Sequence, residues 1–259
     1  MRPQLKISLP KEGRLANAFN EIASIKYFRF SRDNDRSAFG IVEDNYSITN
    51  KTDWGLTCEM ENYLRYKSFL PVEGVLEKQP DMFNSMENYG VDAAVMGVDK
   101  LLENTFQRRF RGLKPAFQIT ARYKKLESTP ISRLMICGEE EITSPNDLKN
   151  TRIATSYPNI LQEWLEGNDI TNADILTKTS SVEDMIRRDA ADYVCDVVET
   201  GGTLRAYGYS PYLEVRRVYP VLVEPLRSPK SGMEDFRDRM KLAVNPNAAI
   251  PDTSQYAIA

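Results

Sequence analysis

The residues best suited to chemistry lie in one short stretch, Asp192-Tyr193-Val194-Cys195-Asp196-Val197-Val198-Glu199-Thr200-Gly201-Gly202-Thr203-Leu204. An apolar strand carries acidic groups toward its C-terminal end and runs through a Thr-Gly-Gly-Thr turn into a helix. Two glycines let a backbone approach a ligand closely, and successive N–H groups at a helix start form a nest for anions. Thr200 and Thr203 add hydroxyl donors for phosphate oxygens, while Asp196 and Glu199 accept hydrogen bonds from sugar hydroxyls. A glycine turn joining a core strand to a helix is the plainer explanation, and the turn alone leaves the two even. The acidic strand end tips the reading to a phosphorylated sugar. The G-x-x-x-x-G-K-[ST] pattern is missing, so a nucleoside-triphosphate P-loop is not indicated.

What the chain lacks narrows the chemistry further. It contains no histidine in 259 residues, which removes Ser-His-Asp and Cys-His schemes, imidazole acid–base catalysis and histidine zinc sites. Cys58, Cys137 and Cys195 are odd in number and far apart, against a disulfide framework or a Cys-x-x-Cys metal knuckle. A net charge of −3 leaves no electrostatic footprint for nucleic acid or anionic membrane. With 41% hydrophobic and 27% charged residues, the chain has a globular balance rather than a disordered one. The N-terminus has no apolar h-region, and no run approaches the roughly 20 apolar residues of a membrane span. The expectation is a cytoplasmic protein that binds neither nucleic acid nor membrane.

The elements that position the stretch alternate between strands and helices. Leu5–Leu9 reads as a strand, the turn at 10–14 leads to a helix over Leu15–Ile25, and 26–72 suggest antiparallel strands and loops. Met82–Tyr89 reads as a helix stopped by Gly90, Val91–Gly97 as a buried strand, and Asp99–Arg111 as an amphipathic helix. Strands at Leu134–Cys137, Arg152–Thr155, Asp174–Lys178 and Tyr193–Val198 then alternate with helices at Ser144–Leu148, Asn159–Leu165 and Val182–Arg188. Leu204–Tyr207 leads to a last strand near Tyr219–Glu224. This alternation predicts α/β layers with parallel sheets, arranged as two α/β lobes around a cleft, without an internal repeat. Lobe I takes 1–112 and about 205–225, lobe II takes 113–204 with the glycine turn, and 226–259 form a helix and tail.

Five strings together resemble the ATP phosphoribosyltransferases of histidine biosynthesis. Asp196–Leu204 is similar to that family's phosphoribosyl-pyrophosphate loop, and Arg152-Ile153-Ala154-Thr155-Ser156-Tyr157-Pro158-Asn159 to its RIATxYPN strand–turn. Ser181-Val182-Glu183, Leu9-Pro10-Lys11-Glu12-Gly13-Arg14-Leu15 and Gly90–Gly97 match three further elements, all in the family's order across roughly residues 5–225. The resemblance implies a type II, periplasmic-binding-protein-like phosphoribosyltransferase architecture. It also implies a reaction: ATP and phosphoribosyl pyrophosphate give N1-phosphoribosyl-ATP and pyrophosphate, with Mg2+ on the pyrophosphate. The transition state has oxocarbenium character, so alignment and charge stabilisation suffice without a covalent nucleophile or general base.

Roles follow from the same resemblance. Glu199, Thr200, Gly201, Gly202 and Thr203 would hold the donor's 5-phosphate, and Asp196 its ribose hydroxyls. Lys11 and Arg14, otherwise a solvated basic turn, would face pyrophosphate or triphosphate. Asp92 and Tyr157 would line the cleft near the nucleotide, with Tyr157 read equally well as an aromatic packed on a proline turn. Arg108, Arg109 and Arg111 read as a solvated helix face. Family members form homo-oligomers. Long ones carry a C-terminal histidine-binding domain, for which the 34 residues after Pro225 are too few. Short ones work with a separate regulatory subunit.

One region departs from the pattern. Glu77 falls where the family has an arginine, and Met82-Phe83-Asn84 replaces Asp-Ile-Pro, which reverses the local electrostatics of a polyphosphate cleft. The donor half of the site matches and the acceptor half does not. Two alternatives follow: a phosphoribosyltransferase with another nucleotide or heterocycle as acceptor, and a non-catalytic ligand-binding regulatory paralogue.

Overall fold

The computed structural model describes residues 5–11, 28–32, 37–42, 70–122, 132–179, 181–227 and 232–234. Its first sheet begins with β1 (Leu5–Pro10), β2 (Phe28–Arg32), β3 (Ser37–Val42), β4 (Leu70–Glu77) and β5 (Ala93–Gly97). It is completed by β6 (Phe117–Arg122) and the last strand, β12 (Pro220–Pro225). The second holds β7 (Ser132–Gly138), β8 (Arg152–Thr155), β9 (Asp174–Thr177), β10 (Tyr193–Val198) and β11 (Ser210–Val218). The spatial orders are β2-β3-β4-β1-β5-β12-β6 and β11-β7-β10-β8-β9.

The two orders hide one scheme. In each sheet a first strand lies between the second and third, all parallel: β4-β1-β5 and β9-β8-β10. An antiparallel strand follows, β12 or β7, and then a strand antiparallel to that one, β6 or β11. In both sheets the antiparallel strand is the first one after the chain crosses over from the other sheet. This is the two-lobed α/β architecture of type II binding proteins. The sheets are mixed rather than parallel, and the crossings fall later than the sequence pattern placed them. β6, assigned to lobe II, pairs in the first sheet, and β11, assigned to lobe I, pairs in the second. Pairing partners this distant leave no mark in local periodicity.

Helices close the parallel units. α1 (Gln79–Asn88) starts with a proline in its first turn and buries Met82, Ser85 and Met86 at helical spacing. α2 (Val98–Phe110) buries Leu101, Leu102 and Phe106 and carries Arg108 and Arg109 in its last turn, where the helix dipole favours cations. In the second lobe α3 (Pro158–Gly167) buries Ile160, Leu161 and Leu165. α4 (Asp184–Arg187) is a single turn, and α5 (Gly202–Tyr207) six residues. Ser144 precedes a 3-10 turn over Pro145–Leu148, with Asp147 reaching back to the Ser144 N–H at 2.9 Å.

β5 is buried along its whole length, as the interior strand of a sheet covered on both faces must be. One hydrophobic core joins the lobes: Met96, Leu101 and Phe106 pack in the same cluster as Ile153, Tyr157, Ile160 and Leu161. A second cluster under α5 contains Met135, Cys137, Val194, Leu204 and Tyr209. Leu15–Ile25, and nearly all of the expected helix after Ser231, lie outside the described residues.

Candidate active site

Ligands of open α/β sheets bind outside the carboxyl ends of the strands, where strand order reverses. In the second sheet that place lies between β8 and β10, so the Ser156–Pro158 turn and the Glu199–Gly201 loop are neighbours. Thr155 ties them together. Its hydroxyl donates to the Cys195 carbonyl of β10 at 2.8 Å and accepts from the Tyr157 N–H at 2.9 Å.

The loop keeps a defined shape. Gly201 is left-handed at φ 68°, a conformation that side chains resist, and its carbonyl accepts from the Arg205 N–H at 3.0 Å. A Cβ built on Gly201 would lie 3.3 Å from Arg205 Nη1, so that guanidinium stands directly beside the loop. Glu199 accepts from the Ser132 hydroxyl at 2.8 Å, which fixes the loop's entrance. Thr200, Gly202 and Thr203 are exposed, whereas Leu204 is buried and anchors α5 in the second cluster. At the helix end, Tyr209 N–H reaches the Leu204 carbonyl at 2.9 Å and Gly208 N–H the Arg205 carbonyl at 3.1 Å, a Schellman closure.

Asp196 is half-buried on β10, and its Oδ1 accepts from the Val197 N–H at 2.7 Å. Burial, with the Asp196 charge added, pushes the Cys137 thiol up to about 12. Cys195, fully enclosed, is raised well above its ordinary value, chiefly by burial. Both cysteines are therefore inert core residues. Tyr157 adjoins the loop but is buried, with Lys100 Nζ 4.1 Å from its ring centroid. It is a packed aromatic in the core cluster that joins the lobes.

In the first lobe, Lys11 is exposed at the end of β1, and its N–H donates to the Glu77 carbonyl at 2.9 Å. Glu77 does not stand as a bare anion. Ser8 and Ser85, both buried, donate to its two oxygens at 2.5 Å each. Arg14 lies outside the described residues.

Asp92 goes elsewhere. Its Oδ2 accepts from the Lys6 N–H at 2.8 Å and its N–H donates to the Lys6 carbonyl at 2.8 Å, at the amino ends of β5 and β1. That is the edge opposite the carboxyl ends, so the structure removes Asp92 from the group. Asp196 and Glu199–Thr203 lie together at the end of β10, and Arg205 is a cation that the sequence reading passed over. The signal was available in its position four residues after Gly201, one helical turn on.

The lobes meet through α2 and α3. α2 begins at the carboxyl end of β5 and α3 at that of β8, and the Lys100–Tyr157 contact joins their starts. The carboxyl ends of the two sheets therefore face each other. Among the described residues no group of three or more His, Cys, Asp or Glu side chains converges to hold a metal ion. No described helix is long and apolar enough to cross a membrane.

Comparison with known proteins agrees with this layout. A protein from Archaeoglobus fulgidus shares the fold at TM-score 0.50 and 13% identity, over 97% of this chain and 81% of its own. The fold also matches the ATP phosphoribosyl transferase (HisG:HisZ) complex from Thermotoga maritima, with TM-score 0.58 and 17% identity, over 92% of this chain and 98% of that one. An ATP phosphoribosyltransferase of Stenotrophomonas maltophilia (strain R551-3) is 29% identical over 241 residues, 92% of this chain and 69% of its own length. Another, of Xylella fastidiosa (strain M12), is 33% identical over 166 residues, 63% of this chain and 53% of its own, so the chain spans about half of it. The HisG family profile, ATP phosphoribosyltransferase, matches residues 78–242, which contain the glycine loop, both facing helices and every strand of the second sheet. The chain belongs to the ATP phosphoribosyltransferase family, a family of pentosyltransferases.

Proposed function

We propose that this chain transfers the phosphoribosyl group of phosphoribosyl pyrophosphate to N1 of ATP, giving phosphoribosyl-ATP and pyrophosphate, the first step of histidine biosynthesis. The observation that carries this reading is the Glu199–Thr203 loop, placed at the switch point of the second sheet, left-handed at Gly201 and flanked by Arg205. Its exposed Thr200 and Thr203 hydroxyls and backbone N–H groups receive the 5-phosphate. Asp196, on the strand before it, accepts from the ribose hydroxyls. Lys11, on the facing lobe and three residues before Arg14 in sequence, meets the departing pyrophosphate or the triphosphate.

Alignment dominates the chemistry. Each lobe holds one substrate, the adenine nitrogen attacks the anomeric carbon, and cations take up the leaving charge. Magnesium suits such a site because it keeps several waters and takes phosphate oxygens with one or two carboxylates. It would arrive on the pyrophosphate, and Asp196 and Glu199 are the carboxylates beside the loop. The bound ion would screen the leaving group's negative charge. Two serine hydroxyls fix the Glu77 carboxylate at the end of β4 without removing its charge. A separate regulatory subunit accords with the HisG:HisZ complex of Thermotoga, whose fold this chain shares, and a homo-oligomer working in the cytoplasm completes the reading.

The test is turnover of purified protein with ATP, phosphoribosyl pyrophosphate and magnesium, with pyrophosphatase present to pull the equilibrium. Formation of phosphoribosyl-ATP is the expected result. Donor binding by calorimetry without ATP turnover would point to another acceptor, a required partner or a regulatory paralogue. Loss of donor binding as well would remove the loop assignment.

A further inference from the structure

Tyr157 accounts for only part of the Ser156-Tyr157-Pro158-Asn159 turn. α3 starts there without a side-chain cap of its own, and Pro158 in its first turn removes one donor. The remaining N–H groups are met from the other lobe. Glu103 of α2 accepts from the Asn159 N–H at 3.1 Å and from Asn159 Nδ2 at 2.5 Å through Oε1, and from the Ile160 N–H at 3.0 Å through Oε2. A carboxylate at this place also suits the positive end of the helix dipole. Lys100 packs over Tyr157 on one side of this contact, and Arg109 pairs with Glu163 on the other.

These contacts lie between two chains of connection. Through Thr155, the start of α3 is fixed to β10 and so to the glycine loop. α2 springs from the end of β5, beside β1, which Lys11 directly follows. Glu103 is therefore the hydrogen-bonded joint at the start of α3 between the half with the glycine loop and the half with Lys11. We infer that Glu103 is a positioning residue: by gripping Asn159 and the first turn of α3 it sets the two substrates' lobes in register for transfer. This rests on the phosphoribosyl-transfer reading above.

Register matters to the reaction between two substrates and not to the binding of one. A misplacement of about 1 Å costs on the order of 10²-fold in rate. Glu103→Ala should lower kcat by about that factor while leaving donor affinity, read by calorimetry, within about twofold. Glu103→Gln keeps an acceptor oxygen but cannot serve all three donors, so its kcat should fall between those of Glu103→Ala and the parent. Asn159→Ala, which removes a single side-chain donor, gives a milder loss and serves if Glu103→Ala does not fold. Amide exchange supplies a readout independent of turnover, with protection lost at Asn159 and Ile160 and kept in β10. Absence of turnover in the parent protein overturns the functional reading, and this inference with it. Turnover in the parent with kcat unchanged in folded Glu103→Ala, or in Asn159→Ala and Glu103→Gln, overturns the inference alone. Equal losses of donor affinity and kcat also overturn it, because the carboxylate would then be holding up the donor lobe itself.

Discussion

The two lobes are most alike at the amino ends of their parallel strands, away from the glycine loop. Before the third parallel strand of each stands an aspartate, Asp92 or Asp192, bound to the second residue of β1 or the first of β8. Asp92 exchanges two bonds of 2.8 Å with the Lys6 backbone, and Asp192 exchanges bonds of 2.7 and 2.8 Å with the Arg152 backbone. The opposite edges differ. β5 passes from Gly97 directly into a 13-residue helix, whereas β10 opens into a left-handed glycine loop before the six-residue α5. A shared feature at the amino ends is architectural, since it pins neighbouring parallel strands whatever the ligand. The feature unique to one carboxyl end is the glycine loop, to which the proposed reading assigns the donor.

The largest effect that follows separates conformation from function. Gly201 and Gly90 are both left-handed, at φ 68° and 69°, but a Cβ on Gly90 meets nothing within 4 Å. Gly201→Val should reduce donor affinity by about 100-fold or more, roughly 2.7 kcal/mol, in a protein that still folds. Gly90→Val should lower stability by about 1–2 kcal/mol and leave donor affinity unchanged. Calorimetric titration with the donor, beside thermal unfolding, measures both. Equal affinity losses in the two variants would erase the distinction between the edges. Next in size is Arg205→Ala, expected to weaken donor binding about tenfold, near 1.4 kcal/mol. An unchanged affinity in the same titration would remove Arg205 from the loop's contacts.

Legibility in the sequence follows how local each feature is. β8 and β10 were readable to the residue, because RIAT and YVCDVV are apolar runs bounded by turns. β11 was not. It mixes Pro211, Glu214, Arg216 and Arg217 with half-buried residues, and two register shifts break its alternation. The glycine loop was legible since its residue types act through the backbone at the place where they stand. Asp92 was misplaced because its partner lies 86 residues away, and the hydroxyl that holds Glu77, Ser8, is 69 residues away and invisible to local reading.

The architectural reading of the amino edges is tested by Asp92→Ala. Removing the carboxylate leaves the Lys6 N–H without its acceptor and should cost about 1 kcal/mol of stability. Donor affinity should stay within about twofold, which titration of the folded variant checks. A stability unchanged in urea unfolding would mean that water replaces the carboxylate at no cost.

Asp192 gives the smallest effect, and one with a pH signature. Hydrogen bonds from Arg152 hold its carboxyl below the ordinary 3.8. The unfolded chain therefore takes up this proton first as pH falls, so the clamp's contribution is complete above the unfolded pKa and disappears as pH drops through the lowered native one. Since the pair is partly exposed, with side-chain exposures of 39% and 37%, screening limits that contribution to about 0.5 kcal/mol. Asp192→Asn should lower stability by that amount at pH 6, and parent and variant should converge as pH falls through the lowered native pKa. Asp147 is also held below 3.8, by the Ser144 and Thr143 N–H groups, but it is present in both proteins and cancels from the difference. A gap that persists undiminished into acid would assign the effect to packing rather than charge. The clamp would then be a steric fit around Arg152, and its likeness to the Asp92 clamp would be one of backbone geometry alone.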